Sequence, residues 1–408
     1  MKKSVLKKYA HLIAKVGANV NKGQYVIVTA NVDQEELVNY VVEDCYKLGA
    51  RHVEVQWQSD KVEKTTYKKA KTKALCEFPK WKEEKQLWLN EKLPALIYIE
   101  SSDPDALKGI NQTKYAEVYR YQRAKIKPFR DLRENRYQWT IASAPSKEWA
   151  KKVYPGVPTK KAINMMWENI LSCARCTEDP VKAWEEHNAD LNRRYSYLNS
   201  LNLDYLHYES SNGTNFKVWM NPKCQWLGGI EVCTGSGIKF NPNLPSEEVF
   251  TSPIAGKAEG IVYSTKPLSY QGEVIENFSV RFKDGKAVEV KAEKGQNLLE
   301  EMIKMDKGAC MLGEVALVPY DSPINKTGLL FFNTLYDENA ACHLALGHGF
   351  TTVVYGCENM TQEEMYKMGV NDSNIHVDFM IGSKDLSITG YTRDGKKVQI
   401  FKNGTWAF

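Results

Sequence analysis

Between Met311 and Met380 the chain carries charged side chains inside apolar runs. Glu314 lies within Leu312-Gly313-Glu314-Val315-Ala316-Leu317-Val318, and His343 within Ala340-Ala341-Cys342-His343-Leu344-Ala345-Leu346. His376 and Asp378 flank Val377. Burying a charge is costly unless something pairs with it, and a metal ion is a common partner. On a strand, residues i and i+2 point to one face, so His376 and Asp378 offer two convergent ligands. Upstream, Pro245-Ser246-Glu247-Glu248 sets two acids in a segment bounded by Pro245 and Pro253. Each feature also has an ordinary reading. Glu247 and Glu248 suit a helix start, and Glu314 suits a strand edge. His343 suits the apolar side of a short helix capped near Asn339, and His376 suits a hydrogen bond to Asp378.

Taken together, Glu248, Glu314, His343, His376 and Asp378 make three carboxylates and two imidazoles with no thiolate. That set suits zinc, cobalt or manganese at a catalytic site with open positions. Five ligands are too many for one catalytic zinc and fit two ions sharing a bridging carboxylate, which stand roughly 3.5–4 Å apart in such sites. They would activate a water and hold a carbonyl oxygen or an amine. No HExxH helix and no GxSxG elbow is present, so a single-zinc protease of that type and a serine hydrolase are not supported.

The elements that must position these residues divide the chain in two. Residues 4–19 have helical spacing, Tyr25–Thr29 reads as a buried strand, and Asp33–Leu48 is an amphipathic helix closed by Gly49. His52–Trp57 completes a β-α-β unit, which implies a parallel sheet. Further strands are expected at Ala95–Glu100 and Trp139–Ala142. No GxGxxG follows the first strand, so a dinucleotide site is not expected. Residues 145–201 read as three helices, opened by Ser146, Thr159 and Pro180, that bridge to the second half. From Leu203 short strands alternate with glycine turns, with hairpins at Asp284-Gly285 and Asp394-Gly395. A helix is expected over 295–307 and one short helix around His343. The expected architecture is α/β plus α+β. It comprises an N-terminal α/β domain over 1–202, its bridging segment at about 145–202, and a mixed β-rich domain over 203–408 that carries the metal site.

The 408 residues exceed one ordinary core. With 43% apolar and 26% charged residues the composition is globular. Mean hydropathy is -0.48 and no apolar run approaches twenty residues, which argues against a membrane span. The N-terminus lacks a signal-peptide pattern, and nine scattered cysteines suit reduced thiols. A cytoplasmic protein is expected. Cys173-Ala174-Arg175-Cys176 has no second pair to complete a zinc ribbon. The net charge of +5 is uneven, about +9 over residues 1–150 and about -4 beyond. The lysines between Lys61 and Lys82 read as a solvated helix face, since no stacking or base-reading motif accompanies them.

The ordered series of motifs resembles the aminopeptidase T and aminopeptidase S family of metal-dependent aminopeptidases, over nearly the whole chain. It includes Lys15-Val16-Gly17-Ala18-Asn19-Val20, Trp149-Ala150-Lys151-Lys152-Val153-Tyr154-Pro155, Asp179-Pro180-Val181 and Trp226-Leu227-Gly228-Gly229. It ends in Asn243 to Pro253, Gly313-Glu314, Glu338-Asn339 with His343, and His376-Val377-Asp378. The resemblance implies two divalent ions (zinc, cobalt or manganese, with magnesium as a further option) held by Glu248, Glu314, His343, His376 and Asp378. Glu248 is preferred to Glu247 on its spacing to Glu314. Glu314 or Glu247 then serves as proton carrier. The family usually has a tyrosine seven residues after the histidine matched by His343. Here that residue is Phe350, and Tyr355 or His348 are the expected substitutes. The resemblance further implies a homodimer that acts on peptides with a free N-terminus, with no nucleic-acid or membrane partner. A metal- or peptide-binding homologue weakened at Phe350, or a related metal-dependent amidase, is the alternative it leaves.

Overall fold

The computed structural model describes residues 1–271 and 273–408. By internal contacts the chain divides into two units, 1–185 with 230–244, and 186–229 with 245–408. The division falls inside the helix Pro180–Ser200, whereas the sequence reading set it at 202.

The first unit is built on a four-stranded parallel sheet. Its strands Tyr25–Asn31, His52–Gln58, Ala95–Glu100 and Trp139–Ser143 lie in the order second, first, third, fourth. All four were expected from apolar runs rich in β-branched residues. The expected first helix continues past Leu12 as a π-turn over Ile13–Gly17. The second helix, Glu35–Lys47, closes as predicted, with Gly49 at φ +94°. Segment 230–244 belongs here because it hydrogen bonds to the edge strand. The Ile141 N–H donates to the Pro242 carbonyl at 2.7 Å, and the Leu244 N–H to the Ile141 carbonyl at 2.9 Å. Ser146 caps Lys147–Val153 through the Trp149 N–H. Thr159 does not cap its helix, because it is the first helical residue and Pro158 holds the cap position. The helix Asp60–Lys69 buries no residue, so its lysines are solvated.

The second unit contains two antiparallel sheets. The larger has nine strands and carries both hairpins named above, with Asp284 and Gly285 at φ +50° and +73° as that turn requires. The smaller has four strands, in the order His376–Met380, His343–Gly347, Leu312–Leu317, Val249–Thr251. Leu312–Leu317 and His343–Gly347 are buried at every position. One expectation fails here, and the ordinary reading of Glu247-Glu248 gives way with it. The short helix is Thr334–Glu338, capped by Asn333, and His343 opens a strand instead of riding that helix. The Glu247-Glu248 pair starts no helix and leads into the strand Val249–Thr251. In both places a short apolar run fits either period, and strand pairing decides. Among the described residues no helix is long and apolar enough to cross a membrane.

Candidate metal centre

Register in the small sheet explains how the candidate ligands meet. Glu314 pairs with Ala345, which pairs with Asp378, while Ala316 pairs with His343 and Gly347 with His376. Residues facing across a ladder share a face, as do residues two apart. Glu314, His343, His376 and Asp378 therefore project from one face, with Ala316, Ala345 and Gly347 leaving space between them. Glu248 enters from the residue before the strand Val249–Thr251, which pairs with Leu312–Leu317.

The donors form two groups, Glu248 with Glu314 and His343, and Glu314 with His376 and Asp378. Within each, the ligand atoms lie within 4.8 Å of one another, and Glu314 belongs to both. His343 Nε2 is 3.3 Å from Glu248 Oε2, and His376 Nε2 is 3.2 Å from Glu314 Oε2 and 3.1 Å from Asp378 Oδ1. The far nitrogens are held by backbone carbonyls. His343 Nδ1 donates to the Ala341 carbonyl at 3.2 Å, and His376 Nδ1 to the His348 carbonyl at 2.7 Å. That leaves each Nε2 pointing into the cluster, able to bind a metal once it gives up its proton, as metal-ligating histidines require.

The remaining expected residues fall outside these groups. Glu247 is buried, and its N–H donates to Asn339 Oδ1 at 2.7 Å. Tyr355 is 51% exposed. The His348 ring packs edge-on to Tyr366, so its carbonyl is what reaches the centre. Phe350 does lie at the centre, its ring centroid 4.9 Å from that of His376 and 5.3 Å from that of Phe250. Ser252 holds its backbone, accepting from the Phe350 N–H at 2.8 Å and donating to its carbonyl at 3.2 Å.

Sequence reasoning used Glu338 only as a landmark. In the structure its carboxyl is pushed well above the usual range by burial and by the nearby Asp378, Glu248 and Glu314 carboxylates. It is a fourth acid of the cluster, and Asn339 Nδ2 donates to its Oε1 at 3.4 Å. In the sequence it is marked only by its place beside Asn339, five residues before His343, and that pattern names no ligand.

The electrostatics call for cations. Burial raises the Glu314 carboxyl to about 7, with Asp378 and Glu248 adding to the shift against His376. Burial opposes charge on the His343 ring, yet Glu248 and the other carboxylates lift it to about 9. His376 is likewise raised by Asp378 and Glu314 against the effect of burial. Burial would raise Asp378, but the His376 imidazole outweighs it and brings it to about 2. Protons on the two rings thus stand in for positive charge that four clustered acids need. Asp378 Oδ1 is buried and makes no aligned hydrogen bond among the described residues. A buried carboxylate oxygen left in this way, beside hard and borderline donors only, fits a divalent ion.

The model of the thermophilic metalloprotease (M29) family matches residues 2–406. This chain belongs to the M29 metalloprotease family. It is 44% identical to aminopeptidase AmpS of Bacillus subtilis over 405 residues, covering 99% of this chain and 98% of that protein. It is 40% identical to aminopeptidase 2 of Geobacillus stearothermophilus over the same shares. The solved structure of wild-type AmpT from Thermus thermophilus superposes with a TM-score of 0.92 at 36% identity over 100% of both chains. The M29 chain described here is therefore a metal-dependent hydrolase of peptide bonds, and its fold is the α/β plus antiparallel β architecture of that structure.

Proposed function

We propose that this chain is a dinuclear aminopeptidase that removes N-terminal residues from peptides. The observation that carries the reading is Glu314, the one carboxylate common to both donor groups. Glu248 and His343 would hold one ion, His376 and Asp378 the other, and Glu314 would bridge them. Zinc, cobalt and manganese suit these donors, with magnesium the least suited to imidazole. Such ions supply Lewis acidity, activating a water and stabilising charge on the carbonyl of the first peptide bond. The chain's own residues do the rest. Glu338 stands among the ligand carboxylates and, ionised once divalent charge on the ligands offsets their repulsion, is the side chain placed to take the water's proton and pass it to the departing amine. This assigns to Glu338 the role expected of Glu314 or Glu247; Glu314 is here a shared ligand, and the backbone of Glu247 is tied to Asn339. Asn339 joins the two segments, accepting from the Glu247 N–H and donating to Glu338. The names of the relatives, all aminopeptidases, support the free N-terminus as the recognised end. A cytoplasmic homodimer remains the setting that we assign.

The test pairs metal analysis with turnover. Two ions per chain and release of amine from aminoacyl-anilides, with N-acetylated versions left intact, are expected. One ion per chain, or equal cleavage of the acetylated substrates, would overturn the reading. A second reading rests on Phe350, whose ring occupies the position beside His376 without a hydroxyl. It predicts full metal loading and little turnover.

A further inference from the structure

We propose that the cavity beside Glu338 and Asp378 receives the side chain of the substrate's N-terminal residue and selects large apolar ones. This rests on the aminopeptidase reading above. A residue whose carbonyl is attacked at the metal centre carries its side chain one carbon away. That side chain must enter space adjoining the ligands. The cavity of about 190 Å³ is lined by the acids Asp337, Glu338 and Asp378 and by the apolar Leu268, Phe332 and Met380, among others. Met380 lies two residues after Asp378 on the same strand and pairs with His343, so it shares the ligands' face.

The walls are fixed to the ligand strand. The Thr265 N–H donates to the Met380 carbonyl at 2.8 Å, which anchors the segment entering Pro267 and Leu268. In the segment that carries Phe332, both oxygens of buried Asp337 are engaged, Oδ1 by the Phe331 N–H at 2.8 Å and Oδ2 by the Asn333 N–H at 3.1 Å. They hold Phe332 at φ +55°, a conformation that is costly for a bulky residue and persists only where the surroundings impose it.

Size and charge decide the occupant. A cavity of about 150 Å³ admits benzene, so a leucine or phenylalanine side chain fits. Among the described residues no lysine or arginine lines the space, and Lys266, which precedes Pro267, is drawn to Asp337. An acidic side chain would add to the Asp337 and Glu338 carboxyls, and the positive charge nearby, Lys266 and the ions that the ligands would hold, is already matched by acids. Apolar contact with Leu268 and Met380 is what remains to reward binding.

Two exposed rim positions, Ser269 and Thr334, allow a test without disturbing the core. Metal-loaded wild type, Ser269→Lys and Thr334→Trp are compared on Leu-, Ala- and Glu-anilides, and in calorimetric binding of leucine and glutamate hydroxamates. Wild type should prefer Leu over Ala and over Glu. Thr334→Trp should lower the Leu/Ala ratio of kcat/KM about tenfold by filling the space, and Ser269→Lys should raise the Glu/Leu ratio about tenfold. Hydroxamate affinities should follow the same order. A rise in the Glu/Leu ratio cannot come from general damage. If all substrates and hydroxamates change in parallel, or the ratios move less than about twofold, the pocket assignment falls. If no variant turns over any anilide but the hydroxamate pattern holds, the pocket stands and the aminopeptidase reading falls.

Discussion

Glu314 is the residue on which the centre depends most. Each other ligand serves one donor group, while Glu314 serves both. Glu314→Gln should therefore lose both ions together, whereas Asp378→Asn should chiefly weaken one. Metal analysis after gel filtration distinguishes the two outcomes, and retention of one ion by Glu314→Gln would refute the bridging role. Phe350 sets a second test. Its ring already lies beside His376, so Phe350→Tyr adds a hydroxyl near the reacting carbonyl at little packing cost. We expect metal content to stay constant and kcat to rise about tenfold, less than the roughly 10²–10³ that a pre-organised oxyanion donor supplies. An unchanged kcat would show that the hydroxyl is not what this protein lacks. The metal-free protein has its own pH signature. His343 is raised from 6.5 to about 9, so the stability it adds is full below about 6.5 and lost as pH rises through 9. Glu314, raised from 4.5 to about 7, has the same sign: the folded state holds its proton more tightly, and stability falls between those values. Asp378 runs the other way and loses its contribution only as pH falls from 3.8 through about 2. Between pH 6 and pH 9.5 the chelated protein should thus lose thermal stability. With metal bound the ligands are already deprotonated, so the gap between loaded and chelated melting temperatures should widen over that interval. A gap that narrows would contradict the ligand assignment.

The four-stranded sheet turns separate sequence signals into one site. Ala345 shows how narrowly. It lies between Glu314 and Asp378 in the ladder, fully buried, and its small size leaves space for the donors to converge. Ala345→Leu should abolish metal binding and cost about 1–3 kcal/mol by overpacking. Circular dichroism would report the fold and metal analysis the loss of binding, and retained stoichiometric metal would count against the register argument. The same sheet explains what was legible. His376-Val377-Asp378 could be placed on a strand because the i, i+2 spacing has one simple meaning there. Glu314 could be singled out because a carboxylate in an apolar run is expensive. The strand at His343 was not legible. A fully buried central strand shows no alternation, and Asn339 resembled a helix cap when it in fact follows the helix Thr334–Glu338. Glu338 escaped for a related reason. Its place in the cluster depends on how that helix abuts the sheet, which no local pattern records.

Across the whole chain, every proposed ligand lies in the second unit, 186–229 with 245–408. The parallel sheet of the first unit was the easiest part to read from sequence, since its strands are separated by helices, the one between the first two closing at Gly49. The return of residues 230–244 to that unit was not readable, because it rests on three residues pairing with the edge strand Trp139–Ser143. This separation makes metal binding a local source of stability. An ion at a hundred times its Kd contributes about 2.7 kcal/mol, and for a unit of this size each kcal/mol raises Tm by about 2–4 °C. Hydrogen exchange locates the effect. Adding zinc or cobalt to the chelated protein should slow exchange of amides in Leu312–Leu317, His343–Gly347 and His376–Met380. Those of Tyr25–Asn31 and Ala95–Glu100 should change little. Equal protection in both units would mean that the ions stabilise the chain as a single cooperative body, and protection confined to the first unit would place the metal elsewhere.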